Sequence, residues 1–437
     1  MPRKSYAILG AGLLAAAMWL WVQDIAIPQQ QVESLARDVP RGNLSDLYPR
    51  WLGARELLLH GRDPYGADIT REIQSGYYGR PLNPNRPNDP KDQQGFAYPV
   101  YVVFVLAPTI GLPFPLVQRG FLWLLVFVTA ASVPMWRRAL GLYSSSTTDW
   151  LWIVLTLGCF PAIQGFKLQQ LTLVVAAILA ASMYALARGR LVLAGILLSF
   201  ASIKPHLVAI STAWLCLWVI GNWRERQRLL WSLGLTMSVL VFGGEFLLPG
   251  WIHKFRMAAA EYWRYTGGGN SILDVELTPF WGRLVSAVLL GVLFYFMWRL
   301  RRAPQDSADF CWIMTLVMAI TLAVIPMSAP YNQLILLPCL MAIAHTIRPI
   351  WKGGRLPRFL VFMTALSVFW PWFAAAGLVV SQLFLPGLVV QRAWALPLYT
   401  NFAIPLLVLA LLLVRGNGVR AFWANQPRSL RDNAPAE

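Results

Sequence analysis

The stretch RKSYAILGAGLLAAAMWLWVQD, residues 3–24, decides the class of fold. Two cations precede an apolar run from Tyr6 to Val22 that is long enough to enter a bilayer. Trp19, Trp21, Gln23 and Asp24 occupy the zone where a signal peptide would carry small residues for cleavage, so the run is expected to stay as a signal-anchor helix. Directly after it comes one long polar loop, Pro28 to Phe96. That loop holds nine basic and nine acidic residues, among them Asp46, Asp63, Asp68, Glu72, Asp89 and Asp92.

Working outward, apolar runs of membrane-crossing length recur through the 437 residues. Hydrophobic residues make up 57% of the chain and charged ones only 13%, against roughly 25% charged in soluble domains. The composition predicts an all-α polytopic membrane protein. A net charge of +17 invites a nucleic-acid reading, but the long loop is balanced, so the excess lies in short connections and the tail. That is the positive-inside pattern, and no nucleic-acid partner is expected. Cys159, Cys216, Cys311 and Cys339 each sit in an apolar run without metal-ligand spacing and read as membrane thiols; no metal or cofactor is expected.

Arginine clusters orient the runs. They fall at Arg137–Arg138, Arg188/Arg190, Arg224–Arg228, Arg299–Arg302, Arg348–Arg358 and Arg415–Arg431. With all of them cytoplasmic, each gap holds paired crossings: 149–166 with 168–187, 191–204 with 205–221, 229–248 with 280–298, 310–327 with 331–347, and 359–384 with 394–414. The segment 6–22 leaves the cytoplasm and 115–136 returns, while 97–114, short and broken by Pro99, Pro108 and Pro113, is expected to be re-entrant. The result is about twelve transmembrane helices in the cell membrane, with both termini and a 415–437 tail inside. The loops 28–96 and 249–279, the Lys167–Gln170 bend, Lys204-Pro205-His206 and Ser328–Gln333 all face out.

Within the first loop, Leu47, Trp51, Ala54 and Leu58 recur at helical spacing, with Arg50, Arg55 and Glu56 at the polar edge. The spacing predicts a short amphipathic helix lying on the membrane, with Pro49 in its first turn and Gly61 as its stop. Asp46 stands where an N-cap would. Asp63, in Gly61-Arg62-Asp63-Pro64-Tyr65, has the setting of a turn acid, and Tyr98 that of an interfacial anchor. Lys204 and His206 flank Pro205 in the middle of a 31-residue apolar stretch, and charge at that depth must face protein or water.

In this order the motifs resemble the family 87 glycosyltransferases. Asp46-Leu47 lies after the first helix, followed by Gly61-Arg62-Asp63-Pro64-Tyr65, Phe96-Ala97-Tyr98-Pro99 with Pro108 and Pro113, Gln169-Gln170-Leu171-Thr172, and Ala194-Gly195 running to Ile203-Lys204-Pro205. The resemblance covers roughly the first half of the chain. It implies a GT-C fold and transfer of a sugar, commonly mannose, from a polyprenyl-phosphate donor to a lipid or glycan acceptor. Three departures bear on the sugar and acceptor. Tyr98-Pro99-Val100 stands for the family's Tyr-Pro-Pro, Gln169-Gln170-Leu171-Thr172 for Gly-Gln-x-Asn, and Ser328–Gln333 for a stretch that often holds paired histidines.

By the resemblance, Asp46 matches the catalytic base. Attack by an acceptor hydroxyl on the anomeric carbon needs one carboxylate to take its proton. The lipid phosphate leaves already ionised and needs cations rather than an acid, and Lys204, His206 and Lys167 are the outward cations able to bind it. Asp63, Tyr98, Gln170, Tyr331 and Asn332 are weaker candidates for substrate binding. The alternatives are an O-antigen ligase or polymerase, whose large outer loop falls later in the chain, and a lipid or solute transporter, for which an inverted repeat is missing.

Overall fold

The computed structural model describes residues 2–38, 45–83, 85–142, 145–265, 269–326 and 329–414; the expected 415–437 tail, Arg41 and Ser328 lie outside them. The described chain is helical throughout. Helix α1 (Pro2–Leu20) passes through a π-helical turn, Trp21–Ala26, into α2 (Ile27–Ala36) without a break. The first helix thus runs well beyond Pro28, where the polar loop was expected to begin. The shift of hydrogen-bond register at a π turn is a place where a proline lacking its N–H can sit. The turn buries Trp21 and Ile25 and leaves Gln23 and Asp24 exposed, and Trp21 Nε1 donates to Trp394 O at 3.2 Å.

Helices α3 (Leu47–His60) and α4 (Ala67–Tyr78) follow in the loop. Gly61 ends α3 with φ +66, a left-handed turn that glycine adopts without strain. The expected one-faced helix on the membrane is not what forms. Leu47, Arg50, Trp51, Ala54, Glu56 and Leu57 are all buried, on several sides of α3. The two charges are tolerated because they are paired: Arg50 Nη1 donates to Asp46 O at 2.6 Å, and Glu56 accepts from Arg62 at 2.9 Å. Arg62 also reaches Asp68 and Glu72 at 2.8 and 2.5 Å, tying α4 to the end of α3. Beneath α3 lies α5 (Val102–Leu106), whose five residues rise only about 7.5 Å, followed by a 3₁₀ turn whose Thr109 carbonyl accepts from Trp51 Nε1 at 3.2 Å.

The remaining helices form the bundle: α6 (Phe114–Ala139), α7 (Ser146–Gly158), α8 (Phe160–Leu168), α9 (Leu171–Ala187), α10 (Leu191–Ala201), α11 (Pro205–Gly221) and α12 (Trp223–Leu247). Then come α13 (Trp251–Tyr265), α14 (Ile272–Leu277), α15 (Pro279–Leu300), α16 (Ala308–Val324), a 3₁₀ segment Pro330–Leu336, α17 (Leu337–His345), α18 (Ile347–Trp351), α19 (Arg355–Ser381), α20 (Gly387–Arg392) and α21 (Ala403–Val414). Helix α9 lies against α6 and α10, α10 against α12, and α1 against α7 and α19. Gly195 makes one of these approaches possible, since a Cβ there would stand 2.5 Å from Leu229 O and 2.9 Å from Leu233 N. All four cysteines are free, two buried and two half-buried.

Six helical stretches among the described residues are long and apolar enough to cross a membrane, and α7 with α8, bent by 56°, would make a seventh. The expected count of about twelve is therefore met only in part. The difference lies in short apolar helices, α9, α10, α11 and α16. At about 1.5 Å per residue the 11-residue α10 rises roughly 16 Å, short of a ~30 Å hydrocarbon core.

Two of the arginine-rich ends are tied to neighbouring helices. Arg137, at the end of α6, pairs with Asp149 at the start of α7. Arg226 donates to the carbonyls of Trp218, Arg301 and Ala303 at 2.9, 3.1 and 3.0 Å, joining the end of α11 to the end of α15. The other ends of α8, α9, α10 and α11 meet the start of α3 through the bonds of Asp46, Gln170, Thr172 and Lys204.

Candidate active site

Proline 205 shapes the centre of this convergence. A residue before proline is kept out of the helical region, and Lys204 adopts φ −120 and ψ 80, breaking α10 from α11. Its side chain turns inward and is buried. Lys204 Nζ donates to Gln170 Oε1 at 3.0 Å and Thr172 Oγ1 at 2.6 Å, and it faces the rings of Tyr331 and Tyr98 at 5.0 and 5.8 Å. Thr172 in turn donates to Asn332 Oδ1 at 3.1 Å. A break in one pair of helices, a bend in another and the late polar loop thus meet at one ammonium.

The bend between α8 and α9 accounts for two departures from the family pattern. Gln169 stands in the place of the family's glycine and has φ +52 and ψ 49, a left-handed conformation that glycine adopts freely and glutamine does not. Two hydrogen bonds hold it there: Ser45 Oγ donates to its Oε1 at 2.6 Å, and its Nε2 donates to Gln118 O. Thr172 stands in the place of the family's asparagine and supplies the hydroxyl that Lys204 binds.

Asp46 reaches the same bend from α3. Its backbone N–H donates to Leu168 O at 2.9 Å. Its side chain makes no capping bond; the Ser45 hydroxyl accepts from Leu47 N instead, at 3.1 Å. The carboxylate is left for other partners: Oδ2 accepts from Gln170 Nε2, and Oδ1 from Tyr77 OH at 3.4 Å. One amide, Gln170, therefore bridges the carboxylate of Asp46 and the ammonium of Lys204.

Each end of this bridge lines a cavity, with Lys204 and Gln170 on one and Asp46 on the other. The larger, about 570 Å³, is lined by Arg50, Tyr98, Gln170, Lys204, His206, Arg256, Tyr262, Tyr331 and Asn332. The other, about 370 Å³, is lined by Asp46, Tyr77, Tyr78, Asp92, Gln94 and Arg37. Burial raises the Asp92 carboxyl above the usual carboxylate range and lifts the Tyr77 phenol well above its ordinary value. Among the described residues, no three His, Cys, Asp or Glu side chains are grouped as a metal site would need.

The sequence-predicted residues Asp46, Lys204, His206, Tyr98, Gln170, Tyr331 and Asn332 come together here, with His206 exposed at the cavity wall. Two do not join them. Asp63 pairs with Lys254 at 2.9 Å and accepts from Tyr65 N at 2.9 Å, which is turn chemistry. Lys167 points to the other side of the bend, where Nζ donates to Gln30 Oε1. Sequence reasoning missed Thr172, Arg50, Tyr77, Tyr262 and Asp92. Thr172 carried a signal as the polar end of the Gln-Gln-Leu-Thr motif, Asp92 as one of the loop's acids and Arg50 as a charge at the edge of α3.

No curated protein and no solved structure matches the chain. A family model does match residues 96–326, a span that takes in Tyr98, Gln170, Thr172 and Lys204, begins after Asp46, and ends before Tyr331 and Asn332. With more than half of the chain matched, the protein belongs to Glycosyltransferase family 87, a family of GT-C membrane enzymes.

Proposed function

We propose that the protein transfers a sugar, mannose by its family resemblance, from a polyprenyl-phosphate donor to a lipid or glycan acceptor, with inversion, on the outer face of the cell membrane. The observation that carries the reading is the Asp46–Gln170–Lys204 bridge between two cavities. The larger cavity takes the donor. Lys204 has three N–H donors and spends two on Gln170 and Thr172, which leaves one for a phosphate oxygen. Arg50 and Arg256 add to the positive lining, and the Tyr98 and Tyr331 rings suit the faces of a sugar.

An acceptor hydroxyl in the second cavity attacks the anomeric carbon from the side opposite the phosphate. The new C–O bond forms as the bond to the phosphate oxygen breaks, and Asp46 takes the hydroxyl proton. The lipid phosphate departs with the bonding electron pair, its charge met by Lys204. Gln170 holds base and cation at fixed separation, so it is a positioning residue.

The arrangement along the chain supports an outward-facing site. Helices alternate between an arginine-bearing end and the site end, which favours about twelve traverses with cytoplasmic termini. Family membership favours a glycosyltransferase over the ligase and transporter readings. The test is incubation of purified protein with radiolabelled polyprenyl-phosphate-mannose and membrane extract. A labelled glycan or glycolipid is expected from this donor and none from a nucleotide-linked mannose. Labelling from the nucleotide sugar alone contradicts the reading.

A further inference from the structure

The hydrogen bonds that start at Lys204 form two branches, and the branches end differently. One runs through Gln170 to the carboxylate of Asp46. The other runs through Thr172 to Asn332 and stops there. An ammonium only donates, so Thr172 Oγ1 accepts from Lys204 Nζ and keeps its own hydrogen for Asn332. That direction fixes the Asn332 amide: Oδ1 faces Thr172 at 3.1 Å and the NH2 group turns the other way. Among the described residues nothing accepts from that NH2 group. Asn332 is only 2% exposed, and it lines the cavity of Lys204. An amide donor buried so deeply is costly to leave unmet, which marks it as a hydrogen-bonding point for whatever fills the cavity.

The segment that carries Asn332 is held in place. The 3₁₀ segment Pro330–Leu336 packs against α8, α9 and α16. Gln333, the next residue, donates from Nε2 to the backbone and side-chain oxygens of Asn401 at 2.7 and 2.9 Å. Tyr331, the residue before, lays its ring 5.0 Å from Lys204 Nζ. Two neighbouring amides thus divide the work, Gln333 anchoring the segment and Asn332 presenting its donors to the cavity.

On the proposed reading, the phosphate at Lys204 is bonded to C1 of the donor sugar. Asn332 is one side chain removed from the same ammonium, so its donors reach the part of the sugar next to C1. Two oxygens lie there, the ring oxygen and the hydroxyl on C2. The ring oxygen gains positive character as the bond to phosphate breaks, and an N–H aimed at it would oppose the reaction. A hydrogen bond to the C2 hydroxyl carries no such penalty and strengthens in the transition state.

We infer that Asn332 is a specificity-determining residue that donates to the C2 hydroxyl oxygen of the donor sugar. The inference rests on the proposed donor reading and adds to it the position on the sugar that the site reads. Donors deoxygenated at C2 are rejected, whereas Asn332 does not read C6.

The test is competition against radiolabelled polyprenyl-phosphate-mannose on purified protein without acceptor. The competitors are unlabelled polyprenyl-phosphate-mannose and its 2-deoxy and 6-deoxy analogues. Wild type is expected to bind the 2-deoxy donor about tenfold more weakly than the mannosyl donor, the effect of one hydrogen bond left unmade in a buried site. In Asn332→Ala and Asn332→Leu that ratio should fall to within about twofold, while the 6-deoxy ratio stays at its wild-type value. Both variants also lose the Thr172 contact and weaken all donors, so the ratio rather than the affinity is the readout. Leucine keeps the bulk of the side chain if the alanine variant misfolds. Equal binding of the 2-deoxy and mannosyl donors by wild type overturns the inference, as does a 2-deoxy ratio that persists in a folded Asn332 variant. If no polyprenyl-phosphate sugar binds wild type, the donor reading fails and the inference falls with it. That outcome is distinct from donors that bind without discrimination at C2.

Discussion

Lys204 and Asp46 bind opposite ends of one side-chain amide: Gln170 accepts from Lys204 Nζ at 3.0 Å and donates to Asp46 Oδ2. The bridge joins residues 158 positions apart in sequence (204 − 46 = 158). It fixes a cation on the wall of one cavity and a carboxylate on the wall of another.

The proposed donor side is tested at Lys204 and Thr172. Lys204→Met keeps the aliphatic stem and removes the charge. Apparent donor affinity should fall, with partial rescue of activity by excess lipid-phosphosugar. Thr172→Val removes only the hydroxyl that receives Lys204 Nζ at 2.6 Å, and a hydrogen bond to a charged group is worth about 1.5–3 kcal/mol. Donor KM should rise about tenfold with protein abundance unchanged. Activity that falls only in step with abundance makes both residues structural.

Asp92 supplies a pH dependence. Its native carboxyl is raised by burial, so the folded state holds a proton that the unfolded state has lost. That contribution to stability is present below the unfolded pKa and is lost as pH rises through the native value. Asp92→Asn cannot ionise and can still accept from Gln94 N through its amide oxygen. Its melting temperature should exceed that of wild type at pH 7.5, with the difference closing in acid below the carboxylate range. A gain that persists unchanged in acid has another origin.

Gly195 is predicted to serve packing rather than chemistry. A side chain there meets the backbone of α12, and overpacking of this kind costs about 1–3 kcal/mol. Gly195→Val should lower folded yield severalfold while turnover per folded molecule stays near wild type. Normal yield with lost turnover would give Gly195 a role at the site.

Topology is tested with single cysteines in a background whose four native cysteines are replaced. Lys91 and Lys352 are both exposed. Lys91→Cys should react with an impermeant thiol reagent in intact cells, and Lys352→Cys only after lysis. The reverse pattern places the site in the cytoplasm.

Much of the site was legible because charge in an apolar chain is costly and therefore sparse. Lys204 stood out beside Pro205, and Asp46 stood out at the head of α3. The rest depended on contacts that local spacing does not encode. Asp46 looked like a cap because the cap position was right, but Ser45 supplies that bond and frees the carboxylate. Helix α3 looked one-faced because Arg50 and Glu56 are charged, yet both are buried with partners drawn from its ends. Pro28 looked like a loop residue because the π turn before it leaves no clear mark in composition. Thr172 is a hydroxyl in an apolar helix, and only the arrival of Lys204 from another helix gives it a task.

The central claim is that Asp46 removes the acceptor proton. Asp46→Asn keeps the size and the Gln170 contact but cannot act as the base, and loss of a general base costs about 10²–10⁴-fold in rate. The decisive measurement is turnover of this variant with polyprenyl-phosphate-mannose at matched protein levels, with Asp63→Asn as control. The account predicts a loss of that size for Asp46→Asn and a much smaller effect for Asp63→Asn. Turnover of Asp46→Asn within about threefold of wild type would contradict it, because a general base cannot be removed at so small a cost.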